Sequence, residues 1–320
     1  MAHTADISFS IIIPVYNRPD EIAELLESLN KQTFNDFEVI IVEDGSSVLS
    51  EKISRQYMGP LNLKYYYKEN TGPGLSRNYG MQKAGGNYFI ILDSDVVLPK
   101  NYMQTVYEHL DQGYTDAFGG PDAAAPEFTP IQKAISYAMT SWLTTGGIRG
   151  KGQKFDKFYP RSFNMGISKK VFQQTGGFSA MRYGEDIDLS IRMMKAGFKT
   201  KLFPKAFVYH KRRNNWRSFF NQVKHSGEAR IMLSRLHPST LKFLHFFPAV
   251  FTLGLVFSVI CAFFGCYFGL ILYLIYFIVL VIDASRQYQQ LKLGILSAVA
   301  AFVMLTGYGW GFINQWKKTS

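Results

Sequence analysis

The chain has 320 residues, 47% of them hydrophobic, and carries 35 Lys and Arg against 24 Asp and Glu for a formal net charge of +11. Eleven of the basic residues fall between Lys199 and His245 against one acid, Glu228, just ahead of an apolar tail; such a block suits an anionic membrane surface and argues against nucleic acid as the partner. The only cysteines, Cys261 and Cys266, lie inside the tail, which leaves the polar part without a disulfide, a thiol redox pair or a cysteine metal site.

The amino-terminal "MAHTADISFSIIIPV" has no basic start and too short an apolar run for a signal peptide, so the polar part is expected on the cytoplasmic side. "FSIIIPV", Phe9 to Val15, reads as a buried strand, and "PDEIAELLESLNKQ" as an amphipathic helix, because Ile22, Leu25, Leu26 and Leu29 fall at i, i+3, i+4 and i+7. A second buried strand covers Phe37 to Val42, a helical stretch follows around Glu51 to Tyr57, and "LNLKYYYKE" alternates like a strand. "GLSRNYGMQKAGG" is a short helix ending at glycines, and Phe89 to Leu92 is again a strand. Strand and helix alternate about every 25 residues, which predicts an α/β fold with a parallel sheet covered by helices on both faces. From Gly119 to Pro160 the pattern is loose and reads as irregular, partly mobile chain; residues 161 to 198 end in a helix with Glu185, Asp186 and Asp188 near its start, where the helix dipole favours acids.

In such sheets ligands bind outside the carboxyl ends of the strands, and the polar residues collect there. Tyr16 and Asn17 follow the first strand, Glu43 and Asp44 the second, and Asp93 and Asp95 the fourth, in "FIILDSDVVLP". "TGPG", Thr71 to Gly74, opens a helix whose backbone N–H groups, Gly72 among them, could meet an anion, with Arg77 one turn in. Two acids at a sheet edge point to a hard divalent cation, since Mg²⁺ commonly takes one or two protein carboxylates and leaves substrate phosphates to complete its shell. A nucleoside diphosphate would use every one of these positions.

The tail holds three long apolar stretches, roughly 243 to 265, 267 to 282 and 293 to 313, each close to the length of about 20 residues that spans a bilayer. "GCYFG" joins the first two as a tight hairpin or as one span plus an interfacial segment, and Arg286 and Lys292 favour the cytoplasmic side for the next connection. A third span would carry Lys317 and Lys318 to the far side, so three spans and two spans plus a surface helix both stay open. The run Lys211, Arg212, Arg213 and Arg217, with Trp216 and Phe219 interleaved, reads as a membrane-surface segment.

"SIIIPVYNRPDEIAELLESLNKQTFNDFEVIIVEDGS", "NTGPGLSRNYGMQKAGGNYFIILDSDVVLP" and "NMGISKKVFQQTGGFSAMRYGEDIDL" resemble, in order and spacing, the blocks of the family 2 glycosyltransferases with a GT-A fold. The resemblance implies a Rossmann-like, mostly parallel sheet and an inverting transfer of a sugar from a UDP- or GDP-linked donor to a glycan or lipid-linked acceptor, with Mn²⁺ or Mg²⁺ as cofactor. It places Pro14, Tyr16, Asn17, Glu43 and Asp44 around the nucleoside, Gly72 and Arg77 at the diphosphate, and Asp93 with Ser94 near the ribose and sugar. Asp95 would bind the metal with Asp93, His210 would add a metal or phosphate contact, and Asp186, beside Glu185, would be the base. Asp188 would instead form a surface ion pair with Arg192 four residues on, because it projects from the helix in another direction. The family often has Asp where this chain has Glu43. The implied organisation is a catalytic domain over 1–225 (nucleotide-binding half 1–98, acceptor half 99–225), a basic juxtamembrane segment over 226–242, and a membrane domain over 243–320 with two or three helices. A polyprenyl-phosphate sugar transferase, which needs no base, is the runner-up; a processive synthase would carry a QxxRW motif that "RRNNWRSF" lacks, and a non-catalytic nucleotide-sugar-binding membrane scaffold would have no need of the acids.

Overall fold

The computed structural model describes residues 7–123, 128–145, 158–211 and 213–319. It divides into two compact units, Met1–Ala125 with Phe155–His210, and Pro126–Lys154 with Lys211–Ser320.

The first unit is built on a seven-stranded sheet in the order β3-β2-β1-β4-β8-β6-β9. Its strands are β1 (Phe9–Val15), β2 (Phe37–Asp44), β3 (Asn62–Lys68), β4 (Tyr88–Leu92), β6 (Ala117–Gly119), β8 (Asn164–Ser168) and β9 (Thr200–Leu202). β1 runs parallel to β2 and β4, and β2 to β3. β8 alone is reversed, antiparallel to both β4 and β6, so the sheet is mixed where the alternation of elements predicts a parallel one. The helices α1 (Pro19–Asn30), α2 (Glu51–Tyr57), α3 (Pro73–Lys83), α4 (Tyr102–Gln112), α7 (Lys169–Thr175) and α8 (Glu185–Lys195) connect the strands.

Successive residues of β1 point to opposite faces, and both faces are covered. Ile11 and Ile13 pack with Ile22, Leu25, Leu26 and Leu29 of α1 and with Met103 and Val106 of α4. Ile12 packs on the other face with Met81, Val171, Leu189 and Met193 of α3, α7 and α8. The stripe legible in α1 is therefore its buried face. α3 approaches the sheet through Gly80, where a Cβ would stand 2.6 Å from the Ile12 methyl and 3.2 Å from that of Val42. A second sheet of β5 (Val96–Val97), β10 (Val208–His210) and β7 (Asp122–Ala123), in the order β5-β10-β7, stands beside the end of β4.

One buried acid staples this layer. The Glu38 carboxylate accepts from Ser10 Oγ at 2.6 Å, from the amides of Gly85 and Gly86 at 2.6 and 3.2 Å, and from Lys64 Nζ at 2.9 Å. Burial alone would raise its pKa; Lys64, Ser10 and the two amides outweigh that and hold it below the ordinary glutamate range. A depressed folded-state pKa gives stability that is present above the unfolded value of about 4.3 and is lost as pH falls below it. Glu38→Gln is therefore expected to cost about 1–3 kcal/mol near neutrality and to flatten the acid side of the stability profile, checked by thermal denaturation in detergent from pH 7 to pH 3.

The second unit is helical. It contains α5 (Pro130–Thr140), α6 (Trp142–Thr145), α9 (Trp216–Leu236), α10 (Phe247–Phe263), α11 (Phe268–Tyr288) and α12 (Leu291–Thr319). Where irregular chain is expected, α5 is a regular helix closed by a capping box between Thr129 and Gln132. Its Tyr137 hydroxyl donates to Asp283 at 2.5 Å, while Tyr288 of α11 donates to the Lys133 carbonyl at 3.1 Å. The expected surface segment around Trp216 is the start of α9, and Phe219 is fully buried in a cluster with Ala138, Leu280 and Ala301, which removes it from any membrane-facing surface; Arg212 lies outside the described residues.

α9 and α12 meet backbone to backbone. A Cβ on Gly227 would lie 2.2 Å from the Tyr308 carbonyl, one on Gly311 2.0 Å from the Lys224 carbonyl, and one on Gly307 2.7 Å from Val223. Gly309, on another face of α12, is held as closely to Pro248 and Thr252 of α10. These small residues allow an approach that any side chain would block. Gly311→Val is expected to destabilise the unit by about 1–3 kcal/mol or more, seen as a lowered melting temperature in detergent. α10 and α11 form a hairpin with a turn at 264–267; Phe251 of α10 packs against Tyr273, Tyr276 and Phe277 of α11. Three helical segments, 243–263, 268–288 and 291–318, are long and apolar enough to cross a membrane.

Candidate functional site

Strand order reverses between β1 and β4, which opens a crevice at their carboxyl ends. Tyr16 leaves β1 as an exposed ring, and Pro14 is buried within the strand. Asn17 takes a left-handed turn at φ 53°, a conformation Asn tolerates better than most residues. Its side-chain oxygen accepts from the amides of Ser47 and Val48 at 2.8 and 2.9 Å, and its own amide donates to Ser46 Oγ at 2.8 Å. The turn after β1 is thereby laced to the loop after β2.

Glu43 and Asp44 at the end of β2 are both buried and both fully engaged. Glu43 accepts from the hydroxyls of Ser46, Ser50 and Tyr65 and from the Ser50 amide. Burial and the adjacent Glu43 carboxylate push the Tyr65 phenol up, out of the range where it ionises. Asp44 accepts from Lys68 Nζ at 2.6 Å and from the amides of Thr71 and Gly72 at 2.9 Å. Two of the N–H groups that the sequence leaves for an anion at the start of α3 are thus taken by the protein. Gly72 itself, at φ 91°, faces open space.

Arg77, one turn into α3, is almost completely buried. It donates to Asp93 at 2.7 Å and to Glu185 at 2.9 Å, and lies 5.2 Å from the Phe178 ring. Its Nε is buried with no acceptor among the described residues. α3 comes close enough because Gly74 would place a Cβ only 3.1–3.2 Å from Phe178, Ser179 and Glu185. The guanidinium that the resemblance aims at a diphosphate therefore sits between two carboxylates.

Asp93 and Asp95 follow β4 with buried Ser94 between them. β10 pairs antiparallel with β5 so that His210 stands opposite Val96, which brings the imidazole, stacked on Phe163 at 5.1 Å, to 3.2 Å from Asp95. One ligand atom from each of Asp93, Asp95 and His210 lies within 4.8 Å of the others, a grouping able to hold a metal ion. Carboxylate oxygens with one imidazole fit a cation such as Mn²⁺ or Mg²⁺ and leave positions for phosphate oxygen and water. The other oxygen of Asp95 accepts from Arg18 at 2.7 Å.

α8 opens at Gly184, left-handed at φ 82°, and puts Glu185 and Asp186 in its first turn. Asp186 accepts from Arg161 at 2.6 Å and from the Ile187 amide at 2.8 Å. Burial would raise its pKa, but Arg161, with the Ile187 amide and Arg77, outweighs burial and holds it below the ordinary aspartate range. For Glu185 burial dominates and raises the pKa, against the pull of Arg77. Asp188 pairs with Arg192 at 2.8 Å as the helical spacing predicts, but it is a buried acid and not a surface one, and Arg192 also donates to the carbonyls of Thr175 and Gly177. Arg161 pairs with Asp186, Arg77 bridges Glu185 and Asp93, and Arg18 pairs with Asp95, so the four acids form one band in which each meets an arginine. Arg18 and Arg161 were not anticipated: Arg18 follows Asn17 directly and could have been suspected, whereas Arg161 is separated from Asp186 by 25 residues without any local pattern.

A GT-A type sheet, with paired acids at its switch point, defines the class, and the comparisons agree. Residues 10–176 match the model of glycosyl transferase family 2, and the chain belongs to that family. It is 32% identical over 152 residues to the poly(ribitol-phosphate) beta-N-acetylglucosaminyltransferase TarS of Staphylococcus aureus, covering 42% of this chain and 26% of TarS. It is 32% identical over 113 residues to the glycosyltransferase GlyG of Streptococcus pneumoniae, covering 35% of this chain and 38% of GlyG. The chain thus spans well under half of the length of these relatives. Among solved structures, the mannosyltransferase PcManGT of Pyrobaculum calidifontis, in complex with GDP-Man and Mn²⁺, superposes with a TM-score of 0.65 at 15% identity over 93% of this chain and 88% of its own. TarS 1-349 of S. aureus in complex with UDP-GlcNAc gives 0.53 at 20% identity over 98% and 93%. At these identities the likeness is one of fold.

Proposed function

We propose that the protein is a membrane-anchored inverting glycosyltransferase that moves a sugar from a nucleotide-sugar donor to a hydroxyl of a lipid-linked or cell-surface glycan. The observation that carries the reading is the grouping of Asp93, Asp95 and His210 at the switch point of the sheet.

In this reading Pro14, Tyr16, Asn17 and Asp44 line the nucleoside position, with the exposed Tyr16 ring free to stack on a base. Glu43 acts by holding the 44–50 loop in shape, since its oxygens are occupied by Ser46, Ser50 and Tyr65. Gly72 leaves room for the diphosphate, and Asp93 with Ser94 lies toward the ribose and sugar. A divalent cation held by Asp93, Asp95 and His210 would offset the negative charge that grows on the diphosphate as the glycosyl bond breaks. Arg77 keeps Asp93 and Glu185 in register from behind. Asp186 accepts the proton of the acceptor hydroxyl as its oxygen attacks the anomeric carbon from the face opposite the departing diphosphate. The structural neighbours are complexes with GDP-Man and with UDP-GlcNAc, so both nucleotide classes belong in the assay.

A phosphate acceptor, as in a polyprenyl-phosphate sugar transferase, is the second reading. Arg161, 39% exposed beside Asp186, favours it, because a guanidinium there would meet an anionic nucleophile that needs no base. The α10–α11 hairpin would anchor the chain, with the basic residues of α9 on the cytoplasmic side, at the plasma or inner membrane in a bacterial cell. The test is to incubate the purified chain with UDP- and GDP-linked sugars and Mn²⁺ and to measure the nucleotide released. Release with at least one donor, abolished by chelation, is expected; no release from any donor in the presence of Mn²⁺ and membrane lipid extract refutes the reading.

A further inference from the structure

The last apolar helix has the length of a span, yet its contacts do not run the way a span's would. Near its start, Gly294 lies against Val281 and Ser285, in the closing turns of α11. Phe302 reaches Phe277, some two turns further into the hairpin, at 6.1 Å. From there the contacts return. Thr252 in the second turn of α10 donates to the Leu305 carbonyl at 3.4 Å, Gly309 packs on Pro248 and Thr252, and Phe312 and Trp316 meet Phe246, just ahead of α10, at 5.2 and 6.0 Å. A helix crossing beside α11 would carry residues 305–316 toward the turn at Gly265. Instead both ends of α12 lie at the open end of the hairpin.

We propose that α12 does not cross the bilayer but lies across the base of the α10–α11 hairpin, in the headgroup and upper acyl layer, so that Lys292 and Lys318 face the same side. The proposal rests on the membrane reading of that hairpin given above. Two further observations support it. α9, which carries Arg217, Lys224, Arg230 and Arg235, is locked to α12 through Gly227, Gly307 and Gly311, and a crossing α12 would draw these charges toward hydrocarbon, where they are strongly disfavoured. In addition, Leu291, Ile295, Val299, Phe302, Trp310 and Trp316 are exposed along one stripe of α12, whereas Leu293, Ser297, Ala300 and Gly311 are buried on the opposite side. One apolar stripe over the whole length, with Trp near one end and Lys at both, suits a helix lying in the interface plane. Arg286, Lys292, Lys317 and Lys318 then all stay on one side, in accord with the positive-inside tendency.

The test uses the full chain in membranes of intact bacterial cells and a membrane-impermeant maleimide, before and after lysis. In a Cys261→Ser/Cys266→Ser background, Lys292→Cys and Lys318→Cys, both at exposed helix positions, are expected to label in the same compartment, protected in intact cells and reactive after lysis. Opposite labelling of the two positions overturns the proposal, because α12 then spans. Cys266, at the hairpin turn in a Cys261→Ser chain, is expected to label in intact cells. If it labels on the side of Lys292, the spanning hairpin fails and takes the proposal with it, a failure told apart from the first because positions 292 and 318 would still agree.

Discussion

Asp95→Asn is expected to lower nucleotide release from the preferred donor by about 10³-fold, the order seen when one electrostatic contact to a charge-developing group is removed. The substitution keeps volume and removes the negative charge from a residue that contacts both His210 and Arg18. Asn can still accept from Arg18, so the fold around β5 should hold, and circular dichroism should be unchanged. The paired measurement is Mn²⁺ binding by electron paramagnetic resonance: the free-ion signal should fall on titration with the native chain and much less with the variant. Turnover in the variant equal to that of the native chain, or native turnover undiminished in excess chelator, would sink the metal assignment while leaving the fold and family untouched.

Asp186→Asn is expected to reduce transfer to a hydroxyl acceptor by about 10² to 10⁴, the usual contribution of a positioned base, with Mn²⁺ binding retained. The pH profile adds a sign. Arg161 helps hold the Asp186 pKa below the ordinary aspartate range, so the base form persists to lower pH, and the acid limb of kcat/KM should lie on the acid side of that range. Arg161→Gln removes the stabilising charge and should move that limb upward, toward neutrality, because the main pull against burial is then gone. Full transfer to a sugar hydroxyl by the Asp186→Asn chain excludes it as the base. Transfer to a lipid phosphate that survives the substitution would select the second reading.

Much of this was legible in the residues, for reasons that are local. Ile22, Leu25, Leu26 and Leu29 marked the buried face of α1 because helical spacing depends on nothing beyond the helix itself. The acids after β4 stood out because charge at the end of an apolar strand needs a partner, whereas Glu185 and Asp186 at the start of α8 were marked by the resemblance of "GEDIDL". What escaped depended on distant partners. The reversed direction of β8 is decided by its pairing with β4 and β6, which no local pattern of "NMGIS" reveals. Asp44 capturing the Thr71 and Gly72 amides, and Arg161 reaching Asp186, are likewise contacts across many residues. The Thr129–Gln132 capping box is a readable signal masked by the surrounding Gly, Ala and Pro, and the close α9–α12 approach was hidden because glycines at 307 and 311 look like flexibility until a second helix is laid against them.

The band from Asp186 to Asp95 has a bearing on how any mutational survey of the site should be interpreted. Each arginine in it balances at least one acid, and Arg77 balances two. Deleting a single member therefore uncovers its neighbour, and the measured loss includes the cost of a stranded charge as well as the value of the missing group. Paired deletions that remove both signs together should then hurt less than the sum of their halves. Ranking these side chains by alanine scanning alone would exaggerate every one of them.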